Sequence, residues 1–191
     1  RDRVQNVSFT EFCDINFVPA PGDYTVNVAL NSDNSTIATS FPLNVMKGDE
    51  ATAIVSGFAT PGMMPAIAPI ALAGNSRSVI TETKLRITHA SPSTGNVDLY
   101  LVADGTDINT VDPTFADVPF GADTTQLSIT PGDYDAYVTG AGSKTPAISL
   151  TELNWTGGEV LDVIARDPAT GETGPQALVV DYTADIACPA P

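Results

Sequence analysis

The sequence predicts an all-β protein: two tandem Ig-like/transthyretin-like antiparallel β-sandwiches, the first lacking its first two strands. Three observations lead there. Short stretches alternate apolar with polar residues, no stretch keeps apolar residues at helical spacing over three turns, and the tetrapeptide PGDY occurs at Pro21–Tyr24 and again at Pro131–Tyr134, 110 positions on. Alternation is the period of a half-buried strand, whereas i, i+3, i+4 spacing is that of an amphipathic helix. At 191 residues the chain exceeds the roughly 100–150 at which single cores tend to split, so two domains are expected.

In chain order, the first copy offers "DYTVNVAL" after PGDY and then "KGDEATAIVSGFAT" (Lys47–Thr60) with an apolar run to Ile70. The second is richer. "KLRITHA" places Leu85, Ile87 and His89 on one face, and "VDLYL" places Val97, Leu99 and Leu101 on one face with Asp98 and Tyr100 opposite. Strands are further expected at Thr124–Ile129, Asp133–Thr139, Ala147–Trp155, Glu159–Arg166 and Ala177–Thr183, separated by turn residues at the spacing of a sandwich.

The two PGDY sites belong to a longer correspondence. Asn6–Phe9 ("NVSF") matches Asp117–Phe120 ("DVPF"), Glu50 matches Glu159, and Pro65 matches Pro175, in the same order and at nearly the same offset. A tandem duplication of a unit of about 110 residues accounts for this order. In each copy Pro and Gly set a tight turn and Asp solvates it. The domains expected are residues 1–78, an N-terminally incomplete repeat, residues 84–186, a complete one, and a tail at 187–191. In this register Arg3 falls at about Thr114, so the first copy lacks counterparts of Lys84–Val111. A sandwich short of two strands leaves backbone groups unpaired. Two sources of the missing strands are open: upstream sequence of the same chain, or a neighbouring copy by β-strand addition, which would make the protein its own partner in a homopolymer.

Charge excludes several classes. Eight Lys and Arg against 23 Asp and Glu give a net charge of −15, so a nucleic-acid backbone or an anionic membrane surface would be repelled. The longest nearly apolar run, Pro65–Gly74, is about half the length of a membrane span and carries two prolines; no membrane-spanning segment is expected, and "RDRVQNVSF" has no apolar core of a signal peptide, which a processed or truncated chain would have lost.

Candidate sites are few. His89 is the sole histidine and precedes Ser91 by two residues, but no nucleophile elbow or orienting acid is apparent, and a ring hydrogen-bonded to the following turn is the expected role. "GAGSKT" (Gly140–Thr145) lacks the Gly-Lys-Thr order of a phosphate loop and is expected to be a hairpin loop. One His and two distant Cys do not make a zinc site. The loop "DGTDINTVD" presents Asp104, Asp107, Asn109 and Asp112, hard oxygen ligands of the kind calcium prefers, although without the order of the helical calcium loop; a solvated acidic loop is the other reading, and no further cofactor is implied.

A strand ending in His-Ala-Ser-Pro, a polar turn and a strand reading Val-Asp-Leu-Tyr, within "LRITHASPSTGNVDLYL" (Leu85–Leu101) and followed by "DVPFG", "PGDYDAYV" and "GGEVLDVIA", resembles a family of bacterial domains of unknown function found in tandem on secreted proteins and cell-surface lipoproteins. The resemblance covers residues 84–185 and more weakly 4–74. It implies an extracytoplasmic β-sandwich without known catalysis and supplies no active-site residues. In such a compartment Cys13 and Cys188 are expected to form one intrachain disulfide, with free thiols and an interchain bond as the alternatives. The expected function is a non-enzymatic structural or adhesive protein, extracellular or at the cell surface. The alternative is a carbohydrate- or calcium-binding module of a secreted protein, which an exposed aromatic row beside the acidic loop would mark.

Overall fold

The computed structural model describes residues 7–12, 20–29, 37–47, 50–60, 62–74 and 76–184. Among these the chain is built of strands, with one short 3₁₀ turn, Ile108–Thr110, and no α-helix. It divides into two compact units, one holding the described residues up to 74 with Ala184 and the other Ser76–Thr183.

The first unit contains two antiparallel hairpins. β1 (Gly22–Ala29) pairs with β2 (Ile37–Val45), and β3 (Glu50–Ser56) pairs with β4 (Ala68–Gly74). Along β1 exposure alternates residue by residue up to Val28, as the sequence "DYTVNV" requires.

The second unit holds eight strands in two four-stranded sheets: β5 (Thr83–Ala90), β6 (Val97–Ala103), β7 (Phe115–Val118), β8 (Leu127–Ile129), β9 (Gly132–Gly140), β10 (Pro146–Trp155), β11 (Val160–Arg166) and β12 (Gln176–Asp181). One sheet runs β10-β9-β6-β7 and the other β12-β11-β5-β8. Leu85, Ile87, Leu161 and Val163 of the second sheet share one buried cluster with Val97, Leu99 and Trp155 of the first, a sandwich-like arrangement.

Three details depart from the sequence reading. The strand expected at Thr124–Ile129 is reduced to Leu127–Ile129, because Thr125 sits in the left-handed region at φ 58°. The sheets are not wholly antiparallel, since β11 runs parallel to β5, in register from Val160↔Lys84 to Arg166↔Ala90. Finally, β5 is buried along its whole length, where alternation assigned Lys84, Arg86 and Thr88 to solvent. The reason for the burial of Arg86 lies on the neighbouring strand. Its Nε donates to Oδ1 of Asp162 at 3.0 Å and its Nη2 to Oδ2 at 2.5 Å, and the Tyr182 hydroxyl donates to the same Oδ2 at 2.8 Å.

Two other mid-strand aspartates are buried and hold irregular backbone. Asp98 on β6 accepts the amide of Asp117, at 2.8 Å, and that of Gly142, at 2.8 Å. Asp135 on β9 accepts the amides of Gly105, at 2.9 Å, and Glu152, at 3.1 Å, and the Tyr137 hydroxyl at 3.1 Å. Asp117 and Glu152 both have positive φ, 55° and 57°, and lie where the β6–β7 and β10–β9 registers shift. A bulge turns an amide out of the ladder; here a buried carboxylate receives it. Burial pushes the Asp135 carboxyl up, but the amides and the Tyr137 hydroxyl outweigh it and leave it below its ordinary value. At the entrance to β5, Gly157 has no room for a side chain, since a Cβ would lie 1.9 Å from the Ile80 carbonyl oxygen. This close approach lets the Ser78 hydroxyl donate to Gly158 O, at 2.6 Å, and Gly158 N to Glu82 O, at 2.9 Å.

Replacing Arg86 alone by Met strands a buried carboxylate and is expected to cost about 3–5 kcal/mol. In urea titrations the double variant R86M/D162L should recover more than half of that loss. A single variant as stable as the parent would mean that the Arg86–Asp162 pair does not support the β5–β11 ladder.

Candidate functional site

The parallel register of β5 and β11 brings the two strand exits together. With Ala90 opposite Arg166, the next residues, Ser91 and Asp167, leave the sheet side by side. Arg166 fixes the segment after β11: its Nη1 donates to Asp167 O at 2.9 Å and to Glu172 Oε2 at 2.6 Å, and its Nη2 to Glu172 Oε1 at 2.9 Å. The Ala169 amide donates to the same Glu172 Oε2 at 2.7 Å. Arg166 first, and then that amide, push the Glu172 carboxyl down to about 2.

So presented, Asp167 Oδ1 receives the turn that follows β5. The Ser91 hydroxyl donates to it, as do the Ser93 hydroxyl, at 2.8 Å, and the Ser93 amide, at 3.3 Å. Ser91 Oγ also lies 2.6 Å from Thr94 Oγ1. The His89 ring reaches over the same turn, with Nε2 3.0 Å from Gly95 O. A carbonyl oxygen only accepts, so Nε2 carries the proton and Nδ1 is the acceptor; Nδ1 is buried and finds no partner among the described residues. The edge of the ring meets Phe120, centroids 6.2 Å apart at 83°. Burial lowers the His89 pKa from its ordinary 6.5, against opposing contributions from Gly95 O and Asp167.

This arrangement does not activate Ser91. A nucleophilic serine needs the histidine within hydrogen-bond reach as its base, but the Ser91 hydroxyl is held by Asp167 and Thr94 and the histidine proton by Gly95. Ser91 is also 1% exposed. The geometry is that of a rigid turn.

The acidic loop is organised around a lysine. Asp107 accepts the Asn109 amide, at 2.9 Å, and its side-chain Nδ2, at 2.8 Å, and so caps the 3₁₀ turn. Lys144 Nζ, 4.8 Å from the centre of the Tyr100 ring, donates to Ile108 O at 2.8 Å and to Val111 O. The Asp104 amide, in turn, donates to Asp133 O at 3.1 Å. Asp107 and Asn109 therefore meet, whereas Asp104, Asp107 and Asp112 are not gathered into one cluster, and no such group of three occurs among the described residues. Nor do the aromatic side chains nearby form an exposed row: Tyr100 and Trp155 are buried, and Tyr134 stacks on Trp155 at 5.3 Å. Cys13 and Cys188 lie outside the described residues. An open concavity of about 670 Å³ is lined by Ser78, Ile80, Thr156–Glu159 and Tyr182; its carboxylate, Glu159, accepts the Thr156 amide at 2.9 Å. No helix among the described residues is long and apolar enough to cross a membrane.

Sequence reading singled out His89 and Ser91 but missed Asp167, Arg166 and Glu172, whose partners are distant in sequence. For the buried aspartates a signal did exist. Asp is disfavoured in strand interiors, and Asp98, Asp135 and Asp162 each interrupt an apolar strand.

A family model described as "Domain of unknown function (DUF4397)" matches residues 83–187, more than half of the chain. No curated protein and no solved structure matches it.

Because the chain has one histidine, its titration is separable from the rest. A depressed folded pKa means that the unfolded state binds the proton first, so stability should fall as pH drops below about 6.5 and level off once the folded pKa is passed. H89Q, which keeps a donor for Gly95 O, should flatten the stability profile between pH 7.5 and 5.5 in thermal scans; an unchanged slope would assign it to another group. D167A should lower stability by about 2 kcal/mol through the loss of charge-assisted bonds.

Proposed function

We propose that this chain, which belongs to the DUF4397 family of domains of unknown function, is a non-enzymatic structural or adhesive protein, exported to the cell surface or beyond, whose two units are repeats of one β-sandwich. The observation that carries the first part is the engagement of the HASP turn. The one histidine, the adjacent serine and the nearby carboxylate are each bonded to a turn, and none is paired as nucleophile with base. Groups held in this way stiffen a scaffold.

The repeat reading is supported by hydrogen bonds that recur 110 positions apart. Tyr24 donates to Ala20 O at 2.7 Å and Tyr134 to Thr130 O at 2.8 Å; Asn44 Nδ2 donates to Asp23 Oδ1 at 2.7 Å and Asn154 Nδ2 to Asp133 Oδ1 at 2.6 Å. The strand registers agree as well, with Asp23↔Asn44 and Tyr24↔Leu43 in the first hairpin and Asp133↔Asn154 and Tyr134↔Leu153 in the second. Side chains that fix the same turn in the same way favour duplication over two unrelated PGDY turns. The four strands of the first unit then correspond to β9–β12, the later half of a complete sandwich. A net charge of −15 suits a protein kept soluble in a saline exterior, where self-repulsion is screened. Under this reading the protein assembles with copies of itself by strand addition, and filaments are the natural product of a head-to-tail contact that does not close.

Two measurements test the proposal. Protease shaving of intact producing cells should remove the protein while cytoplasmic markers persist. A panel of ester, peptide and glycoside substrates should show no turnover above buffer. Turnover abolished by S91A or H89Q would establish an enzyme and overturn the reading.

A further inference from the structure

We infer that the turn between β5 and β6 is a pH-operated latch: protonation of His89 in mildly acidic medium draws its ring to the Asp167 carboxylate and frees residues 91–95 from the end of the sandwich, while both sheets stay intact. The inference lies wholly within the second unit and stands apart from the repeat reading.

The turn is anchored at both ends. β5 ends at Ala90, and at the far side the Asn96 side chain donates to Asp117 Oδ1 at 2.7 Å while Asn96 O accepts the Ala141 amide at 3.0 Å. Between these anchors, among the described residues, two titratable side chains join the turn to the frame. Asp167 accepts from Ser91 and Ser93, and His89 Nε2 donates to Gly95 O. Ser93 and Gly95 are exposed, so opening here uncovers little apolar surface, the condition for a local rather than a global transition.

The two protonation states of the ring differ at Nδ1. His89 lines a small cavity together with Val97, Val138 and Ile148 of one sheet, Ala165 of the other, and Ser91 and Thr94 of the turn itself. No other titratable side chain lines it among the described residues. The neutral ring places in these surroundings only an acceptor, the buried Nδ1, which has no partner among the described residues. Protonation turns that atom into the donor of a cation, and a buried charge without a partner is far more costly than an unused lone pair.

The neighbouring charges leave one destination for the ring. Arg166 is turned to Glu172, Asp123 accepts the Thr125 amide, Asp98 accepts those of Asp117 and Gly142, and Arg86 is paired with Asp162 on the opposite face of β5. Asp167 is the charged group that acts on His89. An imidazolium bonded to its carboxylate competes with the Ser91 and Ser93 donors, and Gly95 O loses its partner as the ring turns. The sign follows from burial, which lowers the His89 pKa in the closed turn from its ordinary 6.5. The closed turn is favoured above that pH. Below it the open turn gains about tenfold per pH unit until the closed-state pKa is passed.

NMR titration of the full chain from pH 7.5 to 5 tests the latch, since the one histidine gives ring signals without overlap. At pH 7.5 the ring nitrogens should report a proton on Nε2 and none on Nδ1. On acidification the Ser93 and Gly95 amide signals should move with the ring's own midpoint, below 6.5, and Ser93 should lose hydrogen-exchange protection while the β5 and β11 amides keep theirs. H89Q, which keeps a donor for Gly95 O, should hold the turn closed throughout. D167N, which keeps an acceptor for Ser91 and Ser93 but no charge, should move the midpoint down by about one pH unit. A ring that does not titrate in this range, or that titrates with Ser93 and Gly95 unmoved, would overturn the inference. So would opening at the same pH in H89Q, a midpoint unchanged in D167N, or loss of protection shared with β5 and β11.

Discussion

Two parallel strands leave their sheet at the same end, and much of the second unit follows from that constraint between β5 and β11. Their register sets Arg86 opposite Asp162 in the middle of the sheet and Ala90 opposite Arg166 at its end. The first pairing makes it tolerable to bury an arginine on a strand with no solvent face. The second delivers Asp167 to the turn that begins at Ser91. At the other end the same alignment brings the Thr156–Glu159 turn against the entry to β5, where the Thr83 hydroxyl donates to Thr156 O at 2.7 Å and the Lys84 amide to Glu159 O at 2.9 Å.

Carboxylates do the same physical work at three irregular points of this unit. Asp98 and Asp135 receive amides that bulges turn out of the ladder, and Asp167 receives a serine-rich turn. An amide buried without a partner is costly, and a carboxylate with two oxygens can accept several such donors from different directions. The acidity of the chain thus has an internal component distinct from its surface charge. The same economy reaches the histidine and serine that suggest chemistry in sequence: the Ser91 hydroxyl is bonded to Asp167 and Thr94, and His89 Nε2 to Gly95 O.

The alternating strands were legible from the residues. "VDLYL", "DYDAYVT" and "VLDVIAR" all lie on observed strands, because alternation marks the two faces of a strand, even where, as along Val97–Tyr100 and Val160–Ala165, both faces are buried. β5 defeated that logic. Lys84, Arg86 and Thr88 occupy the positions that alternation gives to water, and the ion pair that reverses the assignment joins residues 76 positions apart. The short β8 was overestimated because Thr125 adopts a left-handed conformation that threonine rarely signals. In the acidic loop, composition suggested ligands for a cation, whereas the protein supplies its own cation, Lys144, from a hairpin more than thirty residues away. What sequence conveyed was local period and turn chemistry; what it withheld was the pairing of polar groups across strands.

The central claim is that the β5–β11 pair is the rigid frame and that Asp167 ties the following turn to it. Native-state hydrogen exchange followed residue by residue tests this most directly. The amides of β5 and β11 should exchange last, only through global unfolding, and the Ser93 amide should be protected in the parent protein but open in D167A with the β5–β11 ladder unchanged. If β5 and β11 instead exchange as fast as the edge strands β7 and β10, or if Ser93 is equally protected without Asp167, the account is contradicted.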